Sequence, residues 1–295
     1  MTTTRSFTYV KPGSLPEALA LLAEHGRAAA ALAGGTDLVS WMRDDLVAPE
    51  VVVDLKGIPG LSGIALVDGT LRFGALATFS DLLASPVVAA TMPALAEMAG
   101  TVASVGIRNR ATVVGNLCSA VPSNDAGPVL LATEASLQVS DPVGERTIPL
   151  GEWFQGPRRT ALSHGELVTG LSVPLPDKHG GCYLKLGRYR GEDLAQASVA
   201  VLAVPGDRYR IAFGAVAPAT FRATAIEQYL QGRALDDATL AGAADLVAGQ
   251  VSPITDLRAS ADYRIHMCRV MLVRALRAAA GRLAGDGPPY GTRLL

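Results

Sequence analysis

Ala33-Gly34-Gly35-Thr36-Asp37-Leu38 ends a run of small apolar residues that starts at Ala28. Farther along, Ala111-Thr112-Val113-Val114-Gly115-Asn116 repeats the design, and Pro122-Ser123-Asn124-Asp125 follows it. Each reads as a strand-like segment that stops at glycine and then offers a hydroxyl and backbone N–H groups. Glycine has no Cβ, so the chain can turn tightly and approach a phosphate closely. Successive N–H groups in such a turn form an anion-binding concavity. Thr36 can add a hydroxyl donor. Asp37 cannot favourably face a phosphate, so its carboxylate is expected to point away and cap the next helix. One glycine pair alone is weak evidence, and an ordinary strand-to-helix turn explains it equally well. The spacing is not the GxGxxG of a Rossmann fold, and no acidic residue ends a second strand at the required distance. The second loop adds weight. Thr112 and Asn116 bracket Gly115, and Ser119 follows. Asp125 stands just ahead of an apolar helix, where it can accept hydrogen bonds from ribose hydroxyls or cap that helix. Paired loops of this kind suit a ligand carrying a pyrophosphate and point to a flavin dinucleotide.

The chain has 295 residues, long enough for two domains, the first of them subdivided. With 49% apolar residues and a formal net charge of −1, it can build a large core but offers no basic surface for nucleic acid. Three cysteines, Cys118, Cys182 and Cys268, lie far apart and form no CxxC. Neither an iron–sulfur cluster nor a structural zinc is expected on this chain. An odd cysteine count fits a reducing cytoplasm. The opening Met1-Thr2-Thr3-Thr4-Arg5-Ser6-Phe7 has no apolar signal region. No apolar stretch reaches the roughly 18 residues of a membrane span.

Ser14-Leu15-Pro16-Glu17 reads as a capping box opening a helix that Gly26 closes. Val51 to Leu55 reads as a buried strand. Asp68-Gly69, between Ile64 to Val67 and Leu71 to Ala75, is a strong hairpin signal. Short helices are expected from Thr78 to Leu83, Pro93 to Met98 and Pro128 to Thr133. Leu137 to Val139 and Arg146 to Ile148 should pair around Asp141 to Gly144. Leu167 to Val173 should form a strand closed by Pro174-Leu175-Pro176. Pro174 to Gly181 is the best boundary. Beyond it, Tyr183 to Leu186, Ser198 to Ala203 and Tyr209 to Phe213 read as three antiparallel strands. Helices from Thr224 to Leu230, Asp237 to Val247 and Ser260 to Leu283 follow. The arginines of the last read as a solvated face that opposes the helix dipole.

Two loops so worded resemble those of the FAD-binding medium subunit of the molybdenum hydroxylases: carbon monoxide dehydrogenase, bacterial xanthine dehydrogenase, 4-hydroxybenzoyl-CoA reductase and nicotinate-type dehydrogenases. The resemblance covers almost the whole chain. It rests on Phe7-x-Tyr9-x-x-Pro12, Ala33 to Leu38, Val53-Asp54-Leu55 and Gly74-Ala75-x-x-Thr78. Ile107-Arg108-Asn109-Arg110-Ala111-Thr112-Val113-Val114-Gly115-Asn116 is its most specific signature. Lys185-x-Gly187-Arg188, Ala217-Pro218, Arg222-Ala223 and Asp256-x-Arg258-Ala259-Ser260-x-x-Tyr263-Arg264 complete the order.

The resemblance implies an α+β fold: a two-lobed FAD-binding domain (PCMH-type), residues 1–176 with lobes of about 1–56 and 57–176, then a C-terminal flavoprotein domain, 177–295, of a three-stranded antiparallel sheet with helices. It implies that Ala31, Leu32, Ala33, Gly34, Gly35, Thr36, Asp37 and Leu38 hold the pyrophosphate of a noncovalent FAD. Thr112, Gly115 and Asn116 form a second wall, and Ser119 and Asp125 bind the phosphate–ribose part. Thr101, Val102, Val168, Thr169 and Lys185 fall where the family contacts the adenine or flavin ends. Partners follow too: a large subunit with the molybdenum cofactor and a small subunit with two [2Fe–2S] clusters, in a dimer of heterotrimers. The chain is then a cytoplasmic electron-transfer subunit that passes electrons through FAD to an external acceptor. Two departures stand out. Val114 replaces the first glycine of the family's Thr-Ile-Gly-Gly-Asn, and a valine there is expected to crowd a backbone–phosphate contact. The extra cluster cysteines of the 4-hydroxybenzoyl-CoA reductase subunit are missing, since only Cys118 lies in that region.

Other residues carry little chemistry. His25, His164, His179 and His266 follow no ligand spacing, and no GxSxG elbow is present. Glu192-Asp193 reads as a polar turn. Tyr189 lies just beyond Lys185 and is a candidate to stack on the isoalloxazine. Cys118 is expected to pack near the cofactor as a small apolar residue. Two other readings remain: a self-sufficient FAD-dependent oxidase of the vanillyl-alcohol-oxidase type, and a non-catalytic partner that has lost FAD.

Overall fold

The computed structural model describes residues 5–189 and 193–295; Met1 to Thr4 and Glu192 of the acid pair lie outside them. Three sheets of three or more strands organise the described residues, beside a two-stranded pair of Phe154–Gly156 with Arg159–Thr160. Thr8–Val10, Val51–Asp54 and Ala29–Leu32 form a parallel sheet with Val51–Asp54 in the middle. The central strand is buried along its whole length, as its Val-Val-Val run demands of a strand covered on both faces. The helix Leu15–His25 packs on this sheet. Its Ser14 hydroxyl accepts from the Glu17 N–H, while the Glu17 carboxylate reaches back to the Gly13 N–H rather than to Ser14.

The second sheet is antiparallel, in the order Ile64–Val67, Thr70–Gly74, Leu167–Pro174, Ser136–Ser140 and Glu145–Pro149. Asp68 and Gly69 both take positive φ (48° and 71°) between its first two strands. That is the turn their sequence demands. A bulge between Val168 and Gly170 leaves Thr169 outside the ladder. Helices Phe79–Ala84, Pro93–Gly100, Val113–Ser119 and Ala126–Ala132 gather over this sheet around a core of Phe79, Leu95, Met98, Leu117, Leu130 and Trp153.

The third sheet, Gly180–Leu186, Ala197–Val204, Arg208–Gly214 and Phe221–Arg222, is antiparallel. The expected three strands gain a fourth, two residues long, which pairs Ala212 with Arg222 and Phe213 with Phe221. Its middle strand, Ala197–Val204, is buried throughout. The cause is a covering on both faces: the long helix Ala261–Ala284 packs on one and Ala126–Ala132 on the other. One apolar core accordingly joins Tyr183, Ala200, Leu202 and Ala212 to the residues under the second sheet.

Candidate cofactor cleft

The two glycine loops meet. Both border a cleft of about 450 Å³, which Lys185, Asp193 and Leu194 close from the third-sheet side. That volume is in the range of ordinary cofactor sites. Gly34 explains why the loops can touch: a Cβ there would lie 1.9 Å from the Arg110 carbonyl oxygen. Gly35 has φ +78° and turns the chain into the next helix. Among the described residues, the N–H groups of Gly34, Gly35, Thr36 and Asp37 donate to no other group of the chain. From behind, the Lys56 ammonium donates to the Ala33 carbonyl (3.1 Å) and pairs with Asp54 (2.6 Å), which also accepts the Tyr9 hydroxyl.

Asp37 does not cap the following helix, Leu38–Arg43. It occupies the cap position with helical dihedrals, which aim its carboxylate away from the first-turn amides. The carboxylate instead faces the Ser119 hydroxyl and the Arg158 guanidinium. Burial raises its pKa, opposed by those two neighbours. Arg158 stacks over Trp41, 5.1 Å from the ring centre, at the cleft's edge.

The second wall differs from its expected form. Thr112 is a helix cap: its Oγ1 accepts from the Gly115 N–H at 2.9 Å, and Val113–Ser119 is helical. That amide is therefore spent inside the chain. Val114 lies in the first helical turn, buried in the core, and does not border the cleft. The expected crowding of a phosphate by its side chain does not occur. Asn116 presents its Oδ1 to the Ala126 N–H (3.1 Å) and Asn124 its Oδ1 to the Gly127 N–H (2.8 Å), so these two, not Asp125, cap the helix Ala126–Ala132. The Ser119 hydroxyl donates to the Asn116 carbonyl (2.9 Å).

Asp125 is thereby left for a different task. Its Oδ2 accepts from the Lys185 ammonium at 2.9 Å and its Oδ1 from the Tyr183 hydroxyl at 2.9 Å. Lys185 also donates to the Thr101 carbonyl at 3.1 Å. Burial raises the Asp125 pKa, against the pull of Lys185 and Tyr183, and pushes that of Tyr183 well up. This is a buried ion pair on the cleft wall, built from residues distant in sequence.

Of the site residues read from the sequence, Ala31, Ala33 to Leu38, Val102, Thr112, Gly115, Asn116, Ser119, Asp125 and Lys185 border the cleft. Leu32 does not, and Thr101 takes part through its carbonyl. Val168 is buried in the core, and the Thr169 hydroxyl turns to Gln138 and Ser140. Both belong to the second sheet and not to the cleft. Tyr189 is largely exposed, beneath the Arg188 guanidinium. Asp193, beside the undescribed Glu192, borders the cleft and accepts the Arg188 N–H. Cys118 borders the cleft too, with burial pushing its thiol up to about 12. Sequence reading missed Trp41, Phe79, Ala103, Ile107 and Asn124. Ile107 and Asn124 stood inside quoted motifs without being assigned to the site; Trp41, Phe79 and Ala103 carried no motif.

The donor set fits FAD. A pyrophosphate needs several unspent N–H donors without a side chain in the way, which Gly34 to Asp37 provide. A ribose or ribityl chain needs polar acceptors and donors, and Asn116 and Asp125 border the cleft there, while the Asn124 amide is held by Val121, Thr220 and Gly127. Among the described residues no group of His, Cys, Asp and Glu could hold a metal ion, and no helix is long and apolar enough to cross a membrane.

Comparison with known proteins agrees with this geometry. The family described as FAD binding domain in molybdopterin dehydrogenase matches residues 5–176, and the CO dehydrogenase flavoprotein C-terminal domain matches residues 182–279. The carbon monoxide dehydrogenase medium chain of Hydrogenophaga pseudoflava is 36% identical over 282 residues, covering 94% of this chain and 98% of that one. A putative xanthine dehydrogenase FAD-binding subunit of Escherichia coli is 31% identical over 287 residues, covering 94% and 98%. A solved structure of carbon monoxide dehydrogenase from Hydrogenophaga pseudoflava, lacking the Mo-pyranopterin moiety, superposes with a TM-score of 0.92 at 38% identity, covering 96% of this chain and 100% of that one.

Proposed function

The chain belongs to the FAD-binding medium-subunit family of the molybdenum hydroxylases, and from that premise we propose that it binds one noncovalent FAD in the cleft between its glycine loops. It serves as the electron-transfer subunit of an oxidoreductase complex. A partner with the molybdenum cofactor oxidises the organic substrate, a second partner carries [2Fe–2S] clusters, and electrons leave this chain for an external acceptor. The assembly is a cytoplasmic dimer of heterotrimers. The chain divides near residue 176 into an FAD-binding domain, with lobes meeting near residue 56, and a C-terminal flavoprotein domain.

Bound FAD supplies reversible two-electron redox chemistry. The protein supplies position. Gly34 to Asp37 bind the pyrophosphate by backbone N–H groups, and Asn116, Ser119 and Asp125 take the sugar-phosphate side. Lys185 sets a fixed positive charge on the wall and, with Asp125, ties the two domains at the cofactor. Asp37 keeps its carboxylate turned to Ser119 and Arg158, away from the phosphates. The observation that carries this reading is the pairing of unspent loop amides with the cross-domain Lys185–Asp125 pair on one cleft.

The test is the visible spectrum of the purified chain, with release and chromatography of any flavin. The expected result is noncovalent FAD near one per chain, without iron, molybdenum or turnover of small organic substrates. Covalent flavin with turnover by the isolated chain would establish the self-sufficient oxidase instead. A chain that takes up no FAD, alone or in its co-purified complex, would establish the partner that has lost it.

A further inference from the structure

Thr101, Val102 and Ala103 carry one stretch of the cleft wall. Val102 and Ala103 border the cleft directly. Ala103 has φ +35°, a conformation that costs an alanine energy and persists only when its surroundings enforce it. The enforcing group is visible. The Arg108 guanidinium turns back and donates through Nη1 to the Val102 carbonyl and to the Ala103 carbonyl, both at 2.7 Å. With Lys185 donating to the Thr101 carbonyl at 3.1 Å, three consecutive carbonyls are held by two cations. Arg108 ends the short helix Val105–Arg108, which Ser104 caps through the Ile107 N–H. The next residue, Asn109, accepts a hydrogen bond from the Ser80 hydroxyl. The Arg108 side chain is thus rooted in a fixed turn.

We propose that Arg108 is a positioning residue for FAD: its paired hydrogen bonds hold the strained Ala103 turn and so shape the Val102–Ala103–Ile107 wall. It touches no cofactor; Arg108 itself does not border the cleft. A planar guanidinium can serve two carbonyls at fixed angles, which a lysine ammonium does less well. The proposal rests on the reading of the cleft as an FAD site.

The experiment compares the full-length chain with Arg108→Gln, Arg108→Lys, Ala103→Gly and the double variant Arg108→Gln/Ala103→Gly. FAD dissociation constants come from flavin fluorescence, and amide hydrogen exchange of residues 101–108 is followed in flavin-stripped protein. Arg108→Gln should weaken FAD binding by about tenfold or more, the size expected for lost charged hydrogen bonds, and speed exchange of 101–108. Arg108→Lys should recover part of the affinity. Adding Ala103→Gly to Arg108→Gln should also recover part of it, because glycine takes positive φ without strain. No merely structural role predicts that second rescue. If Arg108→Gln fails to fold, Arg108→Lys against wild type carries the test, with weaker FAD binding and faster local exchange expected. Wild-type chain that takes up no FAD overturns the functional reading, and this proposal with it. Wild type that binds FAD while every Arg108 variant binds equally well and exchanges equally slowly overturns the proposal alone.

Discussion

Two buried ion pairs join the same two parts of the chain, and they are built differently. Arg282, on the helix Ala261–Ala284, meets Glu97, on the helix Pro93–Gly100, at 2.8 Å. Every guanidinium N–H there has an acceptor: Glu97 twice, and the carbonyls of Gly181, Pro288 and Pro289. Glu97 also accepts the N–H groups of Tyr183 and Gly291, and the Tyr290 ring lies 4.0 Å from the guanidinium. Lys185 meets Asp125 at 2.9 Å, but the ammonium finds only Asp125 and the Thr101 carbonyl among the described residues. One of its three donors is left over, on a residue that borders the cleft. The first pair is closed and ties the helix Pro93–Gly100 to the helix Ala261–Ala284. The second is open, and under the proposed reading its spare N–H is available to FAD. A saturated buried pair fixes structure, whereas an unsaturated one beside a cavity marks a binding site.

Removing one partner of each pair separates the two roles. Glu97→Ala leaves Arg282 buried without its counter-charge, which costs about 3–5 kcal/mol. A thermal unfolding midpoint lower by roughly 10 °C is expected for a chain of this size. FAD affinity of the folded protein should change by less than about twofold. A large loss of FAD affinity with an unchanged midpoint would erase the distinction. Lys185→Met should do the reverse. Asp125 keeps its hydrogen bond from the Tyr183 hydroxyl, and burial, which already raises its pKa, favours the neutral acid further once Lys185 is gone, so the stability loss should stay below that of Glu97→Ala. FAD affinity, measured by fluorescence titration, should fall by about ten- to a hundredfold.

A third pair, with Arg264 buried and Asp256 partly exposed, sharpens the comparison. Asp256 accepts from Arg264 at 2.6 Å and from the N–H groups of Arg258 and Ala259. Led by the Arg258 N–H, these bonds lower its pKa to about 2. A lowered carboxylate pKa contributes stability that is present above the unfolded value of roughly 3.9 and is lost as pH falls through the folded one. The stabilising contribution should therefore vanish between about pH 4 and 2. Asp256→Asn should flatten the acid limb of the stability profile in that window and leave FAD affinity unchanged. An acid limb identical to wild type would show that the pair contributes nothing.

Much of this was legible beforehand because local chemistry dictates it. Asp68-Gly69 forces its hairpin, Ser14 caps its helix, and Gly34 and Gly35 announce a close approach of backbone. The order of the motifs also reached the family and its cofactor. Side-chain partners were the part that failed. Asp37 and Asp125 both stand before helices, and sequence spacing makes a cap natural for each. In the structure Asp37 has helical dihedrals and turns to Ser119 and Arg158, and Asn116 and Asn124 take the cap that Asp125 leaves. Val114 seemed a threat to the cofactor because a loop was expected where Thr112 starts a helix, which turns the valine into the core.

The sequence by itself determined the longer strands and the Asp68-Gly69 turn, because each depends on dihedral preferences and apolar periodicity within a few residues. Only the tertiary structure decided that Lys185 would meet Asp125, that Arg282 would meet Glu97, and that Arg108 would hold Ala103 in a strained turn. The first two partners lie 60 and 185 residues apart, so their meeting depends on how the sheets stack. Arg108 is only 5 residues from Ala103, yet its role rests on a positive φ in an alanine, which no sequence pattern announces.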